Sequence, residues 1–496
     1  MSRRIRFAEL ALGARSLLTK VAAILGDREA YLVGGTIRDL VLGQGRSRHD
    51  LDLALPRNAL SHARGLADRL GGHLVILKEE RGAARVLVEG DGERYQLDLA
   101  DFRGEGLEAD LRGRDFTVNA LAVSLSELVE RGEAPIIDPL GGMSDLEGRR
   151  LRLCSETALR DDPVRSLRGV RFALALALEI PPGLVKVLSG AKPWLGDVAA
   201  ERLRDELLRL LELSRGSRGL RELDGLGLLE ALLPEVGPMR RCLQGLPHRF
   251  DVLEHSLRAV EALEVALDGL GHLFAGPEAL RAGLAESPEP GILHAALLKL
   301  ATFLHDVAKP ATRSEDEDRI RFIGHDRLGA EMTRAIGQRL RLTGASVQLL
   351  ERLVRHHLRP MHLAQVAEIT PRALYRFFRD LGDATPDLIL LVLADTAATV
   401  GVDPATAMTG ATGRLLRELL NGWRAAHEEA RVPPLLNGRD IMEAFALSPG
   451  PLVGQLLARA REAQALGLVR TKAEALESLR RELREAGSID TGQTTV

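Results

Sequence analysis

Apolar positions along the first 145 residues follow the period of strands. Tyr31 to Val33 is a short apolar run ending in Gly34-Gly35, and Asp50 to Leu55 and Tyr95 to Leu99 largely alternate between apolar and polar. From about residue 146 onward the spacing becomes helical nearly throughout, in segments rich in Leu, Ala, Arg and Glu. The expected fold class is α+β, with a small mixed sheet in the head and an all-α remainder. Gly237-Pro238 and Leu246-Pro247 mark a joint. Ala275 to Gly291, with Pro277, Pro288 and Pro290, reads as a loop. Pro433-Pro434 introduces a last helical stretch, and the polar residues 487–496 read as a frayed end.

Composition narrows the class. A chain of 496 residues exceeds what one hydrophobic core serves, so several domains are expected. Hydrophobic residues at 45% and charged residues at 28% give a soluble globular balance, and no apolar run reaches membrane-spanning length. Arg3, Arg4 and Arg6 are not followed by an uninterrupted apolar stretch before Glu9, so no signal peptide is expected. Cys154 and Cys242 form no disulfide framework and lack metal-ligand spacing, which points to a reducing cytoplasm. With a net charge of −3, any nucleic-acid partner must be held by local basic patches. Aromatics at 3% are too few for base stacking to be the main binding mode.

Candidate chemistry begins at His49-Asp50-Leu51-Asp52-Leu53-Ala54-Leu55. Strand period puts Asp50 and Asp52 on one face and the leucines on the other. Two adjacent carboxylates repel unless a cation sits between them, and their oxygens suit Mg²⁺ in a two-metal site. Ahead of them, Tyr31-Leu32-Val33-Gly34-Gly35-Thr36-Ile37-Arg38-Asp39 reads as strand, glycine turn and helix start. The glycines let the backbone approach a phosphate, and Arg38 in the first helical turn can contact the same anion. Gly43 is placed to stop that helix.

In this combination the chain resembles the class II (bacterial-type) CCA-adding tRNA nucleotidyltransferase and poly(A) polymerase family. The resemblance implies that Gly34, Gly35 and Arg38 help bind the nucleotide and that Asp50 and Asp52 bind magnesium. It implies that Asp98, on the Gln96 face of its strand, is a third carboxylate and the base for the primer 3′-OH; Asp101 falls on the other face. Arg114 in Arg114-Asp115-Phe116-Thr117-Val118-Asn119-Ala120 matches a nucleotide contact, and Asp138-Pro139-Leu140-Gly141-Gly142 continues the pattern. The partners implied are tRNA, CTP and ATP, and the activity is addition of C and A to tRNA 3′ ends.

Asp161-Asp162-Pro163-Val164-Arg165-Ser166-Leu167-Arg168-Gly169-Val170-Arg171 reads as a helix starting at Pro163, with Asp161 or Asp162 as cap. By the resemblance, Asp162 and Arg165 template the incoming base, while Arg168 and Arg171 contact phosphates or brace the helix. Cytosine and adenine each pair an exocyclic amino donor with a ring-nitrogen acceptor. Asp162 can accept from the first and Arg165 donate to the second, whereas uracil and guanine reverse both contacts. Only Gly104 to Gly113 separates Arg103 from Arg114, where typical family members carry a longer flexible loop. The family's CC-adding members are similar in this, so CC-only addition is an alternative to full CCA addition.

The helical half carries His255, His305-Asp306, His325, His356-His357 and Asp395. This order resembles the HD phosphohydrolase superfamily and implies a divalent-metal site, with His356 assigned as ligand and His357 its alternative, and phosphoester hydrolysis. The expected divisions are a nucleotidyltransferase head at 1–145, a helical neck with the base-reading helix at 146–240, an HD domain at 241–400 and an RNA-contacting helical tail at 401–496. Rival readings are a poly(A) polymerase, an HD phosphohydrolase with an inactive head, and a non-catalytic RNA-binding protein.

Overall fold

The computed structural model describes residues 3–43, 50–90, 92–316, 319–366, 368–429 and 433–485. His49 and residues 487–496, both read from the sequence above, lie outside these. Two compact units divide the chain, one of residues 1–213 with 219–234, the other of 214–218 with 235–496.

The first unit is built on strands β2 (Tyr31–Val33), β3 (Asp50–Leu55), β4 (His73–Lys78), β5 (Ala83–Gly90), β6 (Glu93–Asp101) and β7 (Ala122–Ser124). They form one sheet in the order β4-β5-β6-β3-β2-β7. Only β3 and β6 run parallel; every other pairing is antiparallel. A separate two-stranded ribbon joins β1 (Arg4–Arg6) to β8 (Glu133–Pro135). The strands at 31–33, 50–55 and 95–99 follow the expected alternation, whereas β4 and most of β5 carried too mixed a pattern to be anticipated. One face of the sheet presents Leu51, Leu53, Leu55, Ala84, Val86, Leu97 and Leu99, all buried with Leu17, Leu18, Val21, Ala63 and Leu66. Those partners come from helices α1 (Leu12–Leu25) and α3 (Ala59–Leu70). Burying each such leucine contributes about 1.5–3 kcal/mol, enough to fix the register and so decide which side chains point the other way.

On the opposite face Val33, Ala54, Ala120 and Ala122 pack with Leu107 and Leu111. The two leucines come from α4 (Gly106–Arg112), so the segment expected to be a short loop is helical. Helices α2 (Gly35–Val41), α5 (Leu125–Glu130), α6 (Gly142–Glu147), α7 (Ala158–Asp161) and α8 (Arg165–Ala175) follow in the same unit.

In the second unit, helices Val252–Asp268, His294–Leu304, His325–Arg339, Gly344–His356 and Thr385–Val400 surround a buried polar cluster. A helix at Glu278–Ala285 occupies part of the segment expected to be a loop, and a small antiparallel ribbon pairs Ser314–Asp316 with Arg319–Arg321. Leu436, Ile441, Leu456, Ala475 and Leu479 form a separate small core in the tail. Among the described residues no helix is long and apolar enough to cross a membrane.

Candidate active site and metal cluster

Parallel pairing of β3 with β6 sets Asp52 directly beside Asp98 and Asp50 beside Gln96. Residues directly opposite in a sheet point to the same side, so the three carboxylates share the face that the leucines leave. Antiparallel pairing of β6 with β5 then sets Arg85 beside Asp98. Arg85 donates Nε to Asp98 Oδ1 and Nη2 to Asp98 Oδ2, each at 2.8 Å. Asp101 turns the other way and accepts from the Ala59 amide at 2.7 Å, anchoring the start of α3.

Gly34 closes the site from the side of β2. Its φ of +77° lies in the left-handed region, and a Cβ there would stand 3.3 Å from Arg114 Nη1 and 3.4 Å from Asp52 Oδ2. Glycine is therefore needed twice over, for the backbone and for the space between a carboxylate and a guanidinium. Gly35 opens α2, and Gly43, at φ +72°, follows its end. Asp50, Asp52 and Asp98 offer on this face the oxygen donors that a hard divalent cation takes, without converging within 4.8 Å as the ligand groups of the second unit do.

The Arg114-to-Asn119 segment joins this face to α8. Arg114 pairs with the buried Asp110 of α4 at 3.0 Å. Asp115 accepts from the Phe116 backbone N–H at 2.7 Å and from the Asn119 side-chain Nδ2 at 3.1 Å, and lies 3.2 Å from Arg168. Burial works against the Asp115 carboxylate, but Arg168 and these two N–H donors outweigh it and hold its pKa below the usual carboxylate range. Arg38, expected at the phosphate, is instead buried, donating to Asp39 at 2.7 Å and to Asn119. Its guanidinium lies over the Phe172 ring, 5.3 Å from the centroid.

The helix expected from Pro163 begins two residues later, at Arg165, and neither Asp161 nor Asp162 caps it. Asp162 instead adopts an extended backbone, with Oδ2 accepting from Arg202 at 2.6 Å and Oδ1 buried without a hydrogen-bond partner. Arg165 donates to the carbonyls of Gly113 at 3.0 Å and Arg114 at 3.2 Å, so it sits against the segment that carries Arg114. Gly169 lets α8 approach closely, since a Cβ there would meet the Phe116 ring at 2.9 Å. Of the two remaining arginines, Arg168 bridges Asp115 and Glu206, while Arg171 is held by Glu206 at 2.7 Å and braces the helix. Glu206→Ala would leave the largely covered Arg171 without its carboxylate partner, and urea unfolding is expected to show a loss of about 3 kcal/mol; an unchanged midpoint would contradict this bracing role.

In the second unit, His255, His305 and Asp395 form one triad of ligand atoms and Asp306, His325 and His357 another. His305, His325 and His357 each donate Nδ1–H to the backbone carbonyl three residues earlier, of Thr302, Phe322 and Val354, all at 2.7 Å. A carbonyl can only accept, so Nδ1 keeps its proton and each Nε2 is directed inward, as a lone pair wherever the ring is neutral or a metal replaces its second proton. Nε2 of His325 and Nε2 of His357 consequently face each other at 3.2 Å, an arrangement that calls for a cation. The Nε2 atoms of His255 and His305 are buried without a hydrogen bond. His255 stands 3.0 Å from Asp395, and His305 3.2 Å from Asp306. Burial opposes charge on His305, yet Asp306 and Asp395 outweigh it and hold its pKa up to about 10. Burial and the neighbouring His305 push His357 down to about 4, which keeps it neutral. The imidazole and carboxylate donors thus fit a divalent metal.

His357, not His356, completes this cluster. Successive helical residues point about 100° apart, so only one of the pair can face inward. His356 lines a shallow polar pocket with Gln348, Glu351, Arg352, Arg355 and Asp380. Sequence reasoning also missed Lys309, buried with Nζ 2.6 Å from both Asp306 and Gln244, and His248, whose ring centroid lies 5.0 Å from that of His255.

Comparison with known proteins recovers the same order of domains. Residues 30–152 match the Poly A polymerase head domain, 178–239 the probable RNA and SrmB-binding site of polymerase A, and 252–397 the HD domain. The A-adding tRNA nucleotidyltransferase of Deinococcus radiodurans is 38% identical over 458 residues, 90% of this chain and 94% of that protein. The chain belongs to the CCA-adding tRNA nucleotidyltransferase family. The CC-adding enzyme of Thermus thermophilus is 36% identical over 459 residues, covering 90% of this chain and 92% of its own. That of Geobacter sulfurreducens is 34% identical over 451 residues, 91% of each chain. A CCA-adding enzyme solved with ATP shares the fold, with a TM-score of 0.61 and 19% identity over 97% of this chain and 100% of its own. The Thermotoga maritima CCA-adding enzyme in complex with tRNA gives a TM-score of 0.58 at 19% identity, with the same coverage. This tRNA nucleotidyltransferase is therefore an enzyme with a polymerase-type head, a helical region and an HD domain.

Proposed function

We propose that this tRNA nucleotidyltransferase adds C from CTP to the 3′ end of tRNA by two-metal nucleotidyl transfer in its head. The observation that carries the reading is the strand register that sets Asp52 beside Asp98 on one accessible face, with Gly34 and Arg114 against Asp52. Asp50 and Asp52 would hold Mg²⁺, with Asp98 completing the carboxylate set. When bound, such ions activate the attacking 3′-oxygen and stabilise the leaving pyrophosphate. Gly34 and Gly35 admit the triphosphate, and Arg114 supplies a cation at its edge. Asp162 keeps a buried oxygen without a partner, which suits an acceptor waiting for an amino group of cytosine. Arg165, fixed on the carbonyls of Gly113, Arg114 and Ala158, stands with Nε 3.9 Å from the other oxygen of Asp162, and Arg168 holds the helix to Asp115. Arg38 and Arg171 act through packing.

C addition, as against the whole CCA end, is supported by the short connector between Arg103 and Arg114, folded as α4 and pinned by Asp110. The Thermus and Geobacter relatives bear CC-adding names. A second reading, addition of the terminal A, is favoured by the name of the Deinococcus relative. Transcripts of tRNA lacking the CCA end, or ending in C or CC, offered CTP and ATP separately, separate the two. The expected result is extension of the first two by CTP and none of the CC end by ATP. Efficient ATP addition to the CC end alone supports the second reading, full extension by both nucleotides restores complete CCA synthesis, and long A tracts on any RNA overturn the tRNA assignment.

The HD cluster would hold a divalent metal and hydrolyse phosphomonoesters or 2′,3′-cyclic phosphodiesters at RNA ends, in a cytoplasmic enzyme whose helical tail contributes RNA contacts. His255, His305, Asp306 and Asp395, with His325 and His357, are the ligands proposed for it.

A further inference from the structure

Arg85 lies in the same cross-strand row as the reacting carboxylates. Reading across the sheet, Val33 pairs with Asp52, Asp52 with Asp98, Asp98 with Arg85, and Arg85 with Val75. The alternation along β5 explains the placement: Ala84, Val86 and Val88 enter the core, and Arg85 between them must face the carboxylates. Its fork engages both oxygens of Asp98 at 2.8 Å, the planar two-point geometry that a lysine cannot reproduce. Asp98 keeps a quarter of its side chain exposed and Arg85 a third, so the pair borders the accessible face and is not a core brace.

We propose that Arg85 is a positioning residue for nucleotidyl transfer, holding the Asp98 carboxylate in one plane and offsetting one negative charge of the row Asp50, Asp52 and Asp98. A carboxylate oxygen has two lone pairs, and the fork takes one from each. Each oxygen keeps a second pair that the fork does not use, so Asp98 can still serve as an oriented ligand. On this proposal its part is that of a ligand, where the family resemblance implies a base for the primer 3′-OH. Both effects arise from one side chain but separate experimentally, because Lys keeps the charge and loses the fork.

The inference rests on the proposed role of the Asp98 row, so Asp98→Asn is assayed beside Arg85→Met and Arg85→Lys. Two readouts are used: CTP incorporation into tRNA lacking CCA, and Mn²⁺ binding to the nucleotide-free protein followed by electron paramagnetic resonance. Arg85→Met is expected to lower kcat about 10²-fold through misplacement of Asp98, with the KM for CTP little changed. It is also expected to bind Mn²⁺ about tenfold more tightly, since a cation beside the carboxylates is gone. Arg85→Lys should keep wild-type Mn²⁺ affinity and still lose kcat. Full kcat in Arg85→Lys would overturn the positioning role, and unchanged Mn²⁺ affinity in Arg85→Met would overturn the charge role. If Asp98→Asn is inactive while both Arg85 variants match wild type, the carboxylate site stands and this inference falls. If Asp98→Asn is fully active, the reading of the row itself fails.

Discussion

Asp52→Asn is expected to lower nucleotide addition by about 10³-fold or more while leaving the protein folded. The substitution is nearly isosteric at a half-buried position, and the buried leucines at 51 and 53 that hold β3 in place are untouched. What is lost is one negative charge and one anionic ligand at the centre of the row, beside Asp98 and across Gly34 from Arg114. Stabilisation of transferring phosphoryl charge through such a ligand is worth several kcal/mol, and about 4 kcal/mol corresponds to the stated loss. Asp101→Asn is the matched control. Its side chain faces α3 and accepts from the Ala59 amide, a contact that an Asn oxygen can also make, so addition should stay near wild type. Initial rates at saturating CTP, with circular dichroism as the folding check, read both. Comparable activity in Asp52→Asn and Asp101→Asn would remove the head face as the site of chemistry.

Asp306→Ala carries the second large expectation, loss of the HD metal together with loss of stability. Asp306 is buried among His255, His305, His325 and His357, all within 3.8 Å of its carboxylate. Its other close partner is the buried Lys309 ammonium at 2.6 Å. Removing the carboxylate takes away the only acid of the second triad, which also approaches His255 and His305 of the first, and leaves Lys309 with Gln244 as its remaining close partner. Breaking a buried pair from one side costs about 3–5 kcal/mol. Elemental analysis of the purified protein should find a divalent metal in wild type and its loss in the variant. Thermal unfolding of the wild type should move down on treatment with a chelator, because a ligand bound only by the native state stabilises it. Metal retained in Asp306→Ala, or a wild type indifferent to chelation, would contradict a metal centre at this cluster.

The parts of these sites that sequence made legible are those with a strict local period. Alternation in Asp50 to Leu55 and Tyr95 to Leu99 placed the carboxylates on the face away from the leucines, and both strands run as expected. Which carboxylates are neighbours depends on pairing between strands forty residues apart, and the residue facing Asp98 from β5 was visible only once that pairing was known. Arg38 and Arg171 depend on partners that a local pattern does not reveal. Asp39 and Asn119 hold Arg38 inside, and Glu206 holds Arg171, the bracing that was one of its two expected roles. The choice between His356 and His357 needed the rotation of a helix terminus, which a two-residue repeat of the same side chain does not encode. Likewise the Gly104-to-Gly113 connector is weighed only by its length against the family's loop, while Leu107 and Leu111 had a buried surface waiting across the sheet.

The central claim is that nucleotide transfer to tRNA takes place at the Asp52–Asp98 row and needs a divalent cation there. The most direct measurement is single-turnover extension of a tRNA transcript lacking its CCA end, with CTP as the sole nucleotide, by wild type and Asp52→Asn in Mg²⁺ and in EDTA. Addition of C by wild type in Mg²⁺ alone, with none by Asp52→Asn in either condition, is the predicted result. C addition by folded Asp52→Asn at the wild-type rate, or by wild type in EDTA, would contradict it.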